Sequence, residues 1–172
     1  GLDYAARTKA LIRFHRYDDR NRLALEEHLV EGAHYCRQSD GMVHIHFTVS
    51  PEHRQLFEQE TREAAARYEK LFGVTYHITF SEQSPSTDTI AVNPDNTPFR
   101  EKDDSLLFRP GGHGALLKNL NDLQGDILFI KNIDNIVPDR LKETTYIYKE
   151  VIGGLLLWMQ QEVTMWLNRF DG

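Results

Sequence analysis

Apolar positions along the chain fall into two periods, and the periods alternate. Residues 10–17 ("ALIRFHRY") read as a strand, and "DDRN" breaks it with residues suited to a helix N-cap. The next segment, about 22–37, has the helical period, with Leu25, Leu29, Ala33 and Cys36 on one face. "MVHIHFTVS" (42–50) is β-rich and bounded by Asp40-Gly41 and Pro51. A second helix is expected over about 52–72, with Phe57, Ala64, Tyr68 and Leu71 on one stripe and Gly73 as its stop. "VTYHITFS" (74–81) is the next strand.

The pattern then changes. Residues 82–105 are polar and rich in turn formers, and 89–93 and 105–109 are placed to form a small ribbon around the Asp95-Asn96 turn. A short helix is expected over about 113–122. "DILFIKNI" (126–133) has the nearly unbroken apolar centre of a strand covered on both faces. A long helix is expected over about 139–170, bent at Gly153-Gly154, with Tyr148, Ile152, Leu155, Met159, Val163, Trp166 and Phe170 on its stripe. That stripe exceeds what a free surface helix shows, so it is expected to pack on the sheet, to pack on another copy, or to remain exposed and sticky.

Strands alternating with long helices predict right-handed βαβ units. The expected fold is a three-layer α/β/α domain with a mainly parallel sheet of four main strands. Ligands of such sheets bind outside the carboxyl ends of the strands. That rule directs attention to "SPEH", "SEQSPSTDT" and "NIDN".

Composition changes this picture little. The 172 residues fit one domain, with 40% hydrophobic and 27% charged residues. A net charge of −6 argues against a general nucleic-acid binder. The single cysteine, Cys36, allows no internal disulfide, and no apolar run reaches membrane-spanning length. The cytoplasm is the expected location.

The chemistry concentrates in "FRPGGHGALLKNLNDLQGDILFIKNIDN" (108–135). Gly111, Gly112 and Gly114 permit positive φ and a close approach of backbone to a ligand at the start of a helix. Glycines alone fit a tight turn equally well. Asp134 ends the following apolar segment, where a carboxylate can hold Mg²⁺ beside a substrate phosphate. Taken alone it also fits a turn before Pro138.

"RPGGHGALL" followed by "ILFIKNIDNIV" resembles the P-x-G-H-G … N-x-D-N pattern of the UDP-sugar pyrophosphorylases, the UTP:sugar-1-phosphate uridylyltransferases. "HIHFTVS", "ITFSEQSPSTDTIAVN" and "TKALIRFHRY" resemble further pieces of that family in the same order, with Thr8 where its P-K motif has proline. A closer similarity, over about 10–138, is to an uncharacterised domain family known mainly from Bacteroidetes. It rests on "LEEHLVEGA", "HFTVSPEH", "SEQSPSTDTIAV", "FRPGGHGAL" and "FIKNIDNIVPD".

The resemblance implies a nucleotidyltransferase fold of the GT-A, Rossmann-like kind. It implies a uridine nucleotide or sugar phosphate as partner and Mg²⁺ as cofactor. Gln83 would bond the uracil edge, with the backbone of Gly112 and Gly111 against the base. His113 would lie near the sugar or α-phosphate. Asn132 would help position the nucleotide, Asp134 would hold Mg²⁺, and Lys9 would bond phosphate. The family's glycine-rich signature loop is not found in "GLDYAART", and one long helix stands where its sugar-binding half should follow. The chain therefore reads as the central part of a larger protein, with a 10–138 core and a 139–172 helix, and little turnover of its own.

Two other readings stay open. A non-catalytic nucleotide-binding or interaction module would need the glycine loop and Gln83 but no turnover. A His-ligated metal hydrolase would use His44 and His46, an H-x-H pair on one strand face, with His53 or His113. Hydrogen-bonded strand histidines explain the same pair. Asp88 is a further acidic candidate. Cys36 and the hydroxyls of Ser84, Ser86 and Thr87 read as core and turn residues.

Overall fold

The computed structural model describes residues 8–170. It is a mixed α/β chain, and its Cα atoms separate into two compact units. The first comprises residues 1–45, 56–77 and 127–172. The second comprises 46–55 and 78–126. Residues 1–7, most of the stretch in which the signature loop was sought, lie outside the described part.

The first unit is built around one helix. A 3-10 turn (Lys9–Leu11) leads into strand β1 (Arg13–Arg16), which pairs antiparallel with β2 (Asn21–Leu23), with a break in register between Arg13 and His15. Helix α1 (Ala24–Tyr35) follows at once. Glu26 reaches back to accept from the Leu23 backbone N–H at 2.8 Å, which satisfies one free donor of the first turn. The strand expected over 10–17 thus becomes a turn and a short hairpin arm. The helix begins two residues later than expected, because residues 21–23 close the hairpin first.

Helix α1 is buried on most of its circumference. Leu25, Leu29 and Ala33 are buried as their spacing predicts. Glu26, Glu27 and Glu31 are buried too, which that spacing does not predict. Each has charged partners. Glu26 pairs with Arg67 at 2.6 Å. Glu27 accepts from Tyr17 at 2.8 Å and pairs with Lys142 at 3.0 Å, with Arg22 and His15 beside it. Glu31 pairs with Lys131 and with Lys142. Buried carboxylates survive only when paired in this way.

Helix α2 (Arg54–Phe72) buries Phe57, Thr61, Ala64 and Tyr68, a 4-3-4 spacing along one stripe. Leu71 was expected on that stripe but is exposed, and Phe72 takes the next step, packing against the Ala33, Val43 and Val74 cluster. Gly73 closes the helix at φ +61°, with its N–H on the Glu69 carbonyl. Cys36 packs on the same cluster, and burial raises its thiol pKa to about 11, so it stays protonated.

Residues 127–133 do not form the expected fourth strand. They have no ladder partner, and their odd-numbered positions are half-buried while the even-numbered ones are exposed. The half-buried side faces α1. Phe129 stacks edge-on to Tyr35, Lys131 pairs with Glu31, and the Ile133 carbonyl accepts from His28 at 2.9 Å. Side-chain packing on a helix replaces hydrogen bonding to a neighbouring strand. An apolar run does not distinguish the two cases.

Helix α4 (Asp139–Phe170) is continuous through Gly153-Gly154. A Cβ at Gly153 would lie 2.9 Å from the Phe129 ring, so this glycine admits a neighbour's side chain. Buried Lys142 and the stack of Tyr146 on His34 tie the first half of α4 to α1. The predicted apolar stripe from Tyr148 to Phe170 is exposed.

Strands β3 (Met42–Val49) and β4 (Thr75–Glu82) are hydrogen-bonded neighbours joined by α2, forming a parallel βαβ pair. Their first residues belong to the first unit and their carboxyl ends to the second. Among the described residues this is the only parallel pair. The others are the β1–β2 hairpin and a ribbon of β5 (Thr89–Ile90) with β6 (Phe108–Arg109). The mainly parallel four-stranded sheet is thereby corrected to three two-stranded sheets.

In the second unit the ribbon turns twice with the same chemistry. Asp95 Oδ1 accepts from the Thr97 N–H and hydroxyl around Asn96, at φ 66°. Asp103 Oδ1 accepts from the Ser105 N–H and hydroxyl around Asp104, at φ 67°. Backbone bonds link Ala91 to Phe99 and Phe99 to Leu107, so the ribbon has a middle run that the sequence reading lacked.

Candidate functional site

In the first unit, Lys9 Nζ lies 2.6 Å from Asp134 Oδ2 across 125 positions of sequence. Both side chains face solvent, at 66% and 40% exposure. Asp134 sits in the turn at residues 133–134. One residue earlier, His28 Nε2 meets the Ile133 carbonyl. A carbonyl only accepts, so this nitrogen carries the hydrogen. Burial lowers the His28 pKa, and its bond to Ile133 offsets part of that effect. The turn is thus pinned from α1 while its carboxylate stays accessible. Asn132 is exposed, and its carbonyl accepts from the Asn135 N–H at 3.1 Å.

In the second unit, Gln83 follows β4 directly, at the carboxyl end of the parallel pair. Its Nε2 is buried and has no hydrogen-bond partner. The glycine loop faces it. A Cβ at Gly111 would lie 2.7 Å from the Thr87 carbonyl oxygen and 3.7 Å from Gln83 Nε2. Gly111 is a glycine because backbone from 87 approaches it. Gly112 and Gly114 have open space around them. None of the three adopts positive φ, which corrects that part of the expectation. His113 is exposed and begins the 3-10 turn His113–Leu116 that leads into helix α3 (Leu117–Asn121).

The strand ends beneath this loop carry a polar chain. His46 Nδ1 meets the Thr79 hydroxyl at 2.7 Å, and Nε2 meets the Ser81 hydroxyl at 2.8 Å. Asn119 of α3 donates from Nδ2 to Ser81 Oγ and to the Glu82 carbonyl, both at 2.8 Å. The sequence reading missed Asn119. Its signal is a polar residue inside a short helix that follows a glycine loop.

His46 therefore uses both ring nitrogens on hydroxyls, and His44 packs at a tilt on His77 with centroids 4.9 Å apart. No group of three or more His, Cys, Asp or Glu among the described residues has metal-holding geometry. His46 is thus the half-buried, hydrogen-bonded strand histidine of the alternative reading, whereas His44 is exposed and makes a ring contact.

The described residues form a mixed α/β domain. The chain belongs to the family described as Domain of unknown function (DUF4301), whose sequence pattern matches residues 1–172. No curated protein and no solved structure matches the chain. No helix among the described residues is long and apolar enough to cross a membrane.

Proposed function

We propose that this chain is a nucleotidyltransferase-like domain that binds a uridine nucleotide or UDP-sugar with Mg²⁺. The observation that carries the reading is the Lys9–Asp134 pair. A lysine that neutralises phosphate and a carboxylate that holds a divalent cation are the charges this chemistry needs. The pair is exposed, so exchanging its partners for a phosphate and a cation costs little, about 1 kcal/mol or less.

Asp134 suits Mg²⁺ as a single carboxylate, because that ion keeps several waters and takes its other oxygens from phosphate. Bound there, the ion would neutralise phosphate charge. His28 holds the Asp134 turn in place, and Lys9 supplies a point charge for phosphate oxygens. The βαβ pair β3–α2–β4 agrees with the Rossmann-like fold that the resemblance implies.

The test is calorimetric titration of UTP and UDP-glucose, with and without Mg²⁺, on the wild type and on Lys9→Ala. Binding that needs Mg²⁺ and weakens in the variant supports the reading. Binding unaffected by both would remove Lys9 and the cation from it.

A further inference from the structure

The second unit holds a serine bonded to a histidine. Ser81 Oγ lies 2.8 Å from His46 Nε2, and His46 Nδ1 lies 2.7 Å from Thr79 Oγ1. Asn119 Nδ2 donates to Ser81 Oγ at 2.8 Å. All four residues belong to that unit. A hydroxyl within bonding reach of an imidazole, whose far nitrogen is held by a third group, is the arrangement that activates a nucleophile.

The hydrogen positions follow from the partners. The Ser81 hydroxyl has one hydrogen and two acceptors beside it, His46 Nε2 at 2.8 Å and Thr48 Oγ1 at 3.4 Å. The shorter contact takes the hydrogen. Nε2 is then the bare nitrogen of a neutral ring, and Nδ1–H donates to Thr79. Burial lowers the His46 pKa below 6.5, so the ring is neutral and ready to accept a proton at neutral pH. Thr79 and Ser81, the groups bonded to it, carry no charge.

Asn119 is oriented by a second bond, from Nδ2 to the Glu82 carbonyl at 2.8 Å, which keeps its N–H aimed at Ser81 Oγ. That N–H stabilises negative charge as it develops on the oxygen. Ser81 and His46 are half-buried, and Thr48 beside them is exposed, so the pair meets solvent on the Thr48 side.

We propose that Ser81 and His46 are a nucleophile and general base that hydrolyse a short-chain ester of a polar alcohol. The groups around the pair are hydroxyls and an amide, which suit a small acyl group. Ser81 Oγ attacks the ester carbonyl carbon as its proton passes to His46 Nε2. The tetrahedral intermediate collapses, and the alcohol leaves with that proton. Water then gives a proton to the same nitrogen and attacks the acyl-serine. The carboxylic acid departs, and the proton returns to Ser81 Oγ. The pair shares no residue with Lys9 and Asp134, and the activity is independent of nucleotide binding.

The probe is p-nitrophenyl acetate on the intact chain, read as p-nitrophenol release and as acetylation located by peptide mass spectrometry after acid quench. The acetyl group is expected on Ser81. Ser84 and Ser86, which bond each other, are internal controls and should label about a hundred-fold more slowly, the least a positioned base supplies. The wild-type rate should level off above a single ionisation lying below pH 6.5. Release should continue beyond a single equivalent per chain. His46→Gln, with folding checked by circular dichroism, should slow acetylation of Ser81 about a hundred-fold. The labelling site and the pH profile need only the wild type, so neither depends on a variant folding. Equal labelling of the three serines, acetyl groups confined to other residue types, or a rate that climbs in proportion to hydroxide would overturn the proposal. Release that stops at a single equivalent, or labelling of Ser81 unchanged in His46→Gln, would overturn it equally.

Discussion

Lys9 and Asp134 are 125 residues apart and their charged atoms lie 2.6 Å apart. Their exposure makes the pair a poor stabiliser, since such surface pairs contribute about 0–1 kcal/mol. Asp134→Ala should therefore lower the unfolding free energy by less than about 1 kcal/mol. Urea denaturation checks this, and a much larger loss would identify Asp134 as structural.

The glycine loop makes a contrast within four residues. Gly111→Ala places a Cβ 2.7 Å from the Thr87 backbone oxygen, which cannot yield as a flexible side chain would. The expected cost is about 1–3 kcal/mol, as for overpacking elsewhere. Gly112→Ala and Gly114→Ala meet nothing within 4 Å and should unfold within about 0.5 kcal/mol of the wild type. Chemical denaturation of the three variants distinguishes a crowded position from two open ones.

The buried charges under α1 make a larger prediction. Lys142→Met removes the cation that Glu27 and Glu31 share and leaves both carboxylates buried. Breaking a buried pair from one side costs about 3–5 kcal/mol. A denaturation midpoint close to that of the wild type would show that the network is solvated or rearranges.

Acid should destabilise the protein in two stages. Burial lowers the pKa of His28, His34 and His46 below 6.5. In the window just below that value the unfolded chain binds protons that the folded chain does not. Their contribution is therefore complete above about pH 6.5 and is lost as pH falls beneath it. Glu31 acts lower. Burial opposes its charge, but Lys131 and Lys142 outweigh burial and hold its carboxyl below 4.5. Thermal unfolding followed from pH 8 to pH 4 should show a falling midpoint that begins near pH 6.5, which His28→Gln should shallow. A flat profile over pH 5–7 would contradict the assignment.

How far the sequence was legible depended on what each residue's partner was. Phe57, Ala64 and Tyr68 announced their helix face because burying apolar carbon needs only the right period. Gly73 announced a helix end because its φ is unusual. Glu27 and Glu31 were invisible, because their cations come from positions 22, 131 and 142, and no local pattern records such pairing. The segment 127–133 was read as a covered strand because its apolar centre masks a half-buried alternation. Of the candidate residues, motif resemblance supplied Lys9 and Asp134 in the first unit and Gln83 and Gly111 in the second. Asn119 emerged only from its hydrogen bonds.

Helix α4 is apolar on every side over residues 155–159. The consecutive residues Leu155, Leu156, Leu157, Trp158 and Met159 are all exposed, at 43–58%. A helix apolar all round is one that becomes covered. It is about 48 Å long at 1.5 Å per residue, enough for two copies to bury the roughly 800 Å² per partner that stable complexes need. The chain should self-associate, and sedimentation equilibrium should give a mass above 20.0 kDa that Leu156→Glu with Trp158→Glu returns to the monomer value. A monomer at every concentration would contradict this.

The central claim is nucleotide binding with Mg²⁺ through Asp134. Calorimetric titration of UTP with Mg²⁺, on the wild type and on Asp134→Ala, tests it most directly. The expected result is measurable binding to the wild type that falls when Mg²⁺ is chelated, and that weakens at least ten-fold in Asp134→Ala. No detectable binding at millimolar UTP, or binding indifferent to both Mg²⁺ and Asp134, would contradict the account.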